Sequence, residues 1–164
     1  MKKIYINRHA KSSWDNKQLS DFERPLNKRG YRDAPFMAKV FAEKNPGIDL
    51  IVSSPANRAL TTAEYFAEAL GIAKEQIIVD ERIYHASTDQ LLQVINCIDD
   101  RYNNVILFGH NPGFTYIAEK ISGDWLTMAT CAIAGIDLHV DSWSAVSMNT
   151  GTLFLHDYPK NHAR

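Results

Sequence analysis

Apolar residues along this chain fall alternately into short runs and into stripes at helical spacing. Ile4-Tyr5-Ile6 reads as a short buried strand, and Asp49 to Val52 as a second that breaks at Ser53-Ser54-Pro55. Gln76 to Val79 is a third, and Asn104 to Phe108 a fourth that leads into Gly109. Between them, Ala34, Met37, Ala38, Val40 and Phe41 mark a helix within Asn27 to Lys44, stopped by Asn45-Pro46-Gly47. Pro35 is awkward there, since an interior proline costs about 3 kcal/mol, and it marks a kink or a later start. Leu60, Ala63, Phe66, Ala67 and Leu70 form the stripe of a helix from Asn57 to Leu70, ended by Gly71. Ser87-Thr88-Asp89-Gln90 has the form of a capping box opening a helix from Leu91 to Asp100, and Phe114, Ile117, Ala118 and Ile121 face inward from a fourth helix. Thr130 to His139, Trp143 to Met148 and Gly151 to Tyr158 read as closing strands. Strand and helix in alternation predict an α/β fold, a three-layer α/β/α sandwich with a mainly parallel central sheet; another doubly wound sheet is the alternative. Trp14 to Leu26 is a polar loop placed to lie over a site entrance, and residues 159–164 read as a short frayed tail.

Composition narrows the class without changing this picture. A chain of 164 residues with 45% hydrophobic and 23% charged content is expected to form one domain spanning 1–164 with a substantial core. A net charge of −1 without a long basic run excludes an extended nucleic-acid footprint. No stretch approaches the length of a membrane span, and the direct entry into a strand lacks the apolar core of a signal peptide, so a cytoplasmic address is expected. Cys97 and Cys131 have no metal-type spacing and read as reduced residues, with Cys97 expected in or beside the core because it shares a stretch with Leu91, Leu92, Ile95 and Ile98.

Candidate chemistry gathers where three strands end. The first strand runs straight into Arg8 and His9, and in an open α/β sheet ligands bind beyond the carboxyl ends of the strands. An arginine offers a planar fork of donors suited to phosphate, and a neutral imidazole can attack phosphorus or carry a proton. Taken alone, that pair reads better as a strand cap through the His9 ring nitrogens. After the second strand, Ser54 can cap a helix with Pro55 in its first position, which leaves Arg58 in the opening turn. A cation there faces the positive end of the helix dipole, a placement that makes sense with an anion opposite. After the fourth strand, Gly109 leads to His110, and Asn111-Pro112 starts a helix by the same device. Each junction thus brings a cation or an imidazole to one edge of the sheet.

The blocks Arg8-His9-Ala10-Lys11-Ser12, Ser53-Ser54-Pro55 with Arg58 and Thr61-Thr62-Ala63, and Gly109-His110-Asn111 resemble the signatures of the histidine phosphatase (phosphoglycerate mutase-like) superfamily. Asp21 to Gly30 resembles a further block of its SixA-type phosphohistidine phosphatase branch. The resemblance implies a phosphoglycerate mutase-like fold and a phosphatase with a covalent phosphohistidine intermediate. His9 would be the nucleophile, with Arg8, Arg58 and His110 binding phosphate. Glu81, in a block just after the third strand, is the implied general acid, with Asp80 and His85 as neighbours able to substitute. No cofactor and no metal are implied. The expected substrate is a phosphohistidine of a protein partner; a small phosphate ester is the alternative, and a non-catalytic module binding phosphorylated partners a third reading. Neither nucleic acid nor membrane is an expected partner.

Departures from the family pattern carry expectations of their own. Ala10 stands where glycine is commoner, so the backbone is less free to approach a phosphate. Lys11 replaces a frequent acidic residue, either as a phosphate contact or as a solvated lysine, and Asp15 is expected to point away from the anion. Arg24, Arg29 and Arg32 are expected as surface ion-pair residues rather than catalytic ones. The weak marking of the acid favours an imidazole leaving group: its pKa near 6.5 lets it depart without the proton an alkoxide needs. Short connections with no insertion for a lid point the same way, toward an open site.

Overall fold

A computed structural model describes residues 1–162. Its strands β1 (Lys2–Arg8), β2 (Leu50–Ser53), β3 (Ile78–Val79), β4 (Asn104–Gly109), β5 (Ile133–Leu138) and β6 (Gly151–Asp157) form one sheet in the order β3-β2-β4-β1-β5-β6. The pairs β1–β4, β2–β4 and β2–β3 are parallel, while β5 lies antiparallel to β1 and β6 to β5. Mixed α/β layering with a mainly parallel centre is the architecture expected from the pattern.

Helices α1 (Lys28–Ala42) and α2 (Asn57–Leu70) cover one face, and α3 (Thr88–Asn96) and α4 (Gly113–Ser122) cover the other. Because successive strand residues point to opposite faces, Tyr5, Ile106 and Phe108 pack with Phe41 and Phe66 under α1 and α2, whereas Ile4, Ile6, Val105 and Leu107 pack with Ile95, Phe114 and Ile117 under α3 and α4. The central strands are therefore packed on both faces by apolar side chains. The strand order reverses between β1 and β4, whose last residues Arg8 and Gly109 are register partners. That gap is the topological switch point, where a ligand site forms in such sheets.

Asn27 caps α1 by accepting from the Gly30 N–H at 2.8 Å, and the helix runs through Pro35 without a break. Pro35 is exposed, as is Tyr31, so the carbonyl left without a helix partner faces water. Ser87 and Gln90 form the capping box read in the sequence. Five expectations need correction. Helix α3 ends at Asn96 rather than Asp100, and Cys97, six residues beyond Leu91 and so about 240° around a helix, is exposed. Trp143 to Ala145 is a single 3-10 turn, not part of a strand: the Trp143 backbone donates to Asp100, its indole donates to the Tyr102 carbonyl at 2.7 Å, and its ring is fully buried. The third strand is cut to two residues by a 3-10 turn over Lys74–Gln76. The tail is not wholly frayed, since Pro159–Asn161 is a 3-10 turn with Pro159 buried and His162 paired with Asp157 at 2.8 Å; residues 163–164 lie outside the described residues.

Candidate active site

His9 is the residue after β1, and its backbone is held from both sides. Its N–H donates to the Gly109 carbonyl at 3.0 Å, and its carbonyl accepts from the Cys131 N–H at 3.0 Å. Ala10 follows, fully buried, with its N–H on Thr62 Oγ1; that hydroxyl donates in turn to the Arg58 carbonyl at 2.8 Å. Thr62 thus ties α2 to the end of β1. Ala10 is not among the described residues with positive φ, so its methyl group imposes no backbone strain here.

His9 is 7% exposed, and its ring Nδ1 lies 2.6 Å from the Ala10 carbonyl oxygen. A carbonyl only accepts, so Nδ1 carries the hydrogen and Nε2 keeps its lone pair. Burial, reinforced by Arg58, Arg8 and Arg24 and opposed by the hydrogen bond to Ala10, lowers the pKa of His9 to about 4. His110 stands beside it with ring centroids 5.2 Å apart and Nε2 2.8 Å from Ser54 Oγ. Burial, His9 and Arg58 lower its pKa to about 3. At neutral pH both rings are uncharged.

The cation on α2 has found an anion within the chain. Arg58 is buried, and its guanidinium donates to the Asp21 carbonyl at 2.6 Å and to the Asp21 carboxylate at 3.0 Å. The same carboxylate accepts from Arg24 at 3.0 Å and from the Tyr84 hydroxyl at 2.6 Å. Burial would raise the pKa of Asp21, but the hydrogen bonds from Tyr84, Arg24 and Arg58 outweigh it and hold the carboxyl well below the usual range. Neither Asp21 nor Tyr84 carries a chemical signature in the sequence; the one signal for Asp21 is its place in the block running to Gly30. Arg24 differs from expectation in being 6% exposed, bonded to Ser12 Oγ and the Ser13 carbonyl besides Asp21.

A cavity of ≈ 300 Å³ opens on this group, lined by Asp21, Arg58, His85 and His110, with Asn111 and Gly113 at the start of α4. The loop from Trp14 to Leu26 therefore does supply a wall of the site, through Asp21. Arg8 donates to the Met128 carbonyl at 2.9 Å, and Asn111 donates to the same carbonyl at 2.9 Å. Asn111 Oδ1 accepts from the Thr115 N–H, whereas the helix itself starts at Gly113, after Pro112. Ser54 likewise does not cap α2, which begins after Ala56; its Oγ accepts from the Ala56 N–H instead.

The expected acid is not brought in. Glu81 is exposed on a 3-10 turn over Glu81–Ile83 and does not line the cavity, and Asp80 is paired with Arg82 at 2.7 Å. Of that block, His85 is the candidate that lines the cavity, its ring 3.9 Å from that of Tyr84. Among the described residues no group of three or more His, Cys, Asp or Glu is placed to hold a metal ion, and no helix is long and apolar enough to cross a membrane.

Residues 4–88 match the histidine phosphatase superfamily (branch 1). Among solved structures, the chain is similar to the SixA protein of Agrobacterium tumefaciens, assigned as a phosphohistidine phosphatase, at 27% identity and a TM-score of 0.81 over 96% of this chain and 98% of that one. It shares its fold with the protein histidine phosphatase SixA complexed with tungstate, at 23% identity and a TM-score of 0.82 over 97% and 98% of the two chains. An uncharacterized chloroplastic protein of Arabidopsis thaliana is 29% identical over 150 residues, which is 87% of this chain and 69% of that protein. The chain therefore belongs to the histidine phosphatase superfamily (branch 1) and is a phosphatase, a hydrolase of that superfamily.

Proposed function

We propose that the chain removes phosphate from phosphohistidine of a protein partner through a phosphohistidine formed on its own His9, without a metal. The observation that carries this reading is the state of His9: a neutral ring with Nδ1–H bonded to a carbonyl and the Nε2 lone pair free, beside Arg58 and His110. His9 Nε2 attacks phosphorus, the bond to the leaving nitrogen breaks, and water then attacks the phosphoenzyme to release phosphate. Arg8, Arg58 and His110 meet the charge that spreads over the phosphoryl oxygens, and each such preorganised donor is worth about 3 kcal/mol in rate. The buried Arg8 Nε–H has no hydrogen-bond partner among the described residues, which leaves this donor uncommitted.

The leaving group follows from the proton inventory. Asp21, the one carboxylate lining the cavity, is held ionised by three donors and has no proton to give. A phosphohistidine that already carries a proton on its other ring nitrogen expels neutral imidazole and needs none from the enzyme, whereas an alkoxide does. The similarity to SixA proteins supports the same substrate class. A second reading, a small phosphate ester, is favoured by His85, the remaining lining side chain able to donate a proton.

Phosphate release from a phosphohistidine protein and from simple phosphate esters, with chelator present, tests the reading. Phosphohistidine is expected to be the better substrate, and rapid quenching is expected to trap phosphate on His9. Replacing His9 by alanine should abolish release while leaving the fold intact; phosphate trapped on another residue refutes the assignment.

A further inference from the structure

We propose that the groove between the loop after β1 and the start of α1 docks an acidic segment of the phosphoprotein substrate, a proposal that rests on the protein-phosphohistidine reading above. The groove has a volume of ≈ 770 Å³ and is lined by residues 11–15 and 27–29 with Arg32. Lys11, Lys28, Arg29 and Arg32 stand in it against one lining carboxylate, Asp15, in a chain whose net charge is −1. Nearby Asp33 is buried and sits 3.7 Å from Arg29 and 3.4 Å from Arg32, so part of that charge is met from below; Lys11 and Lys28 have no ion pair to it. Lys28, Arg29 and Arg32 begin a helix with no acidic residue in its first turn, a placement that does not stabilise the helix itself.

Two further observations connect this groove to a partner and to the reaction. Trp14 is 70% exposed, with the Arg24 guanidinium 3.2 Å from its ring centroid. Arg24 is itself fixed by Ser12, the Ser13 carbonyl and Asp21, so the indole is held on a rigid base and presents its outer face to a docking chain. The groove shares no lining residue with the active-site cavity, but the segment that forms it leads directly from His9. Lys11 lies two residues after His9 and its carbonyl accepts from the Asn27 N–H at 2.9 Å, while Asp21 joins Arg24 to Arg58. In the proposed complex the residues flanking a phosphohistidine held at His9 lie along this wall of cations with its one aromatic ring. Charge of this kind contributes steering and selectivity, and it weakens with salt.

The test uses the full chain and two synthetic phosphohistidine peptides of equal length, one flanked by Glu and Asp and the other by Gln and Asn. The wild type is expected to favour the acidic peptide through a lower KM, with that preference fading as salt is raised. The double variant Lys28→Glu with Arg32→Glu should lose roughly five- to thirtyfold in kcat/KM on the acidic peptide, as exposed attractive pairs become repulsive, with kcat and the neutral peptide unaffected. Equal KM for both peptides in the wild type, or equal losses on both peptides in the variant, overturns the proposal. A binding arm stands apart from the chemistry: His9→Ala protein titrated with the labelled, unphosphorylated acidic peptide should bind more tightly with Lys28 and Arg32 intact than with both reversed. If the wild type fails on both phosphopeptides, the substrate reading fails, and this binding difference still decides the groove. Tighter binding of a single-stranded oligonucleotide or an anionic lipid vesicle than of the peptide overturns the assignment of an acidic protein segment.

Discussion

At the scale of single residues, the site is governed by how burial sets protonation. His9 is held neutral with a pKa of about 4, below the 6.5 of an unperturbed histidine. Between those values the unfolded chain binds a proton that the folded chain does not, so stability rises with pH across that window and is lost as pH falls through it. Acidification from pH 7 to pH 4 is expected to remove roughly 3 kcal/mol through His9, with His110 adding to the loss. Urea unfolding of wild type and His9→Gln at several pH values checks this, since the variant should show a shallower fall below pH 6.5. Activity is expected to keep its nucleophile into mildly acid solution, with the acid limb of kcat/KM well below 6.5. The proton donor is a separate residue-scale question. Glu81→Gln should leave single-turnover rates on phosphohistidine and on phosphate esters within about twofold, because the side chain is exposed away from the cavity. His85→Gln should slow esters by about 100-fold and phosphohistidine only mildly. A large loss in the Glu81 variant on either substrate contradicts its placement outside the site.

At the scale of elements, the loop that follows His9 is positioned by the start of α1. Asn27 both caps that helix and donates its own N–H to the Lys11 carbonyl, and a Cβ on Gly30 would run into the same carbonyl. The contact is with backbone, so no side-chain rotation relieves it. Gly30→Ala is expected to destabilise the protein by about 1–3 kcal/mol and to lower kcat through displacement of the segment after His9. Denaturant unfolding together with steady-state kinetics separates this from simple loss of helix propensity, for which alanine would be the better residue. Several element boundaries depart from the sequence pattern for related reasons. Trp143 to Met148 has the alternation of a strand, yet its backbone is claimed by Asp100 and by the Asn96 side chain, partners far away in sequence. Pro35 looks like a helix break until Tyr31 is seen on the solvent side.

For the whole molecule, the proposed function requires the arrangement of layers to make the site an anion trap within a chain that is nearly neutral. Phosphate or tungstate that binds the folded form alone stabilises it by mass action, by about 2.7 kcal/mol at 100 times its dissociation constant. Thermal unfolding with increasing phosphate should show this gain in the wild type and lose most of it in Arg58→Ala. An unchanged midpoint in the wild type would mean that the cations and imidazoles do not act together on an anion. Binding must also redistribute Arg58, which in the free protein is bonded to Asp21 on two of its nitrogens.

The sequence alone determined the α/β layering, the three strand ends that carry Arg8-His9, Arg58 and His110, and the membership of a phosphatase family. These are local matters: apolar runs and stripes report burial, and cap, proline and glycine signals act within a few residues. It also held a correct physical hint, that a cation in the first turn of α2 wants an anion opposite. Only the tertiary structure decided that the anion in the free protein is Asp21, from a loop 37 residues away in sequence. Folding likewise decided that Glu81 stays outside while His85 lines the cavity, and that Arg24 is buried rather than a surface partner. Those outcomes depend on which side chains long-range packing excludes from water, and desolvation, with the partners it forces, sets both charge state and reach.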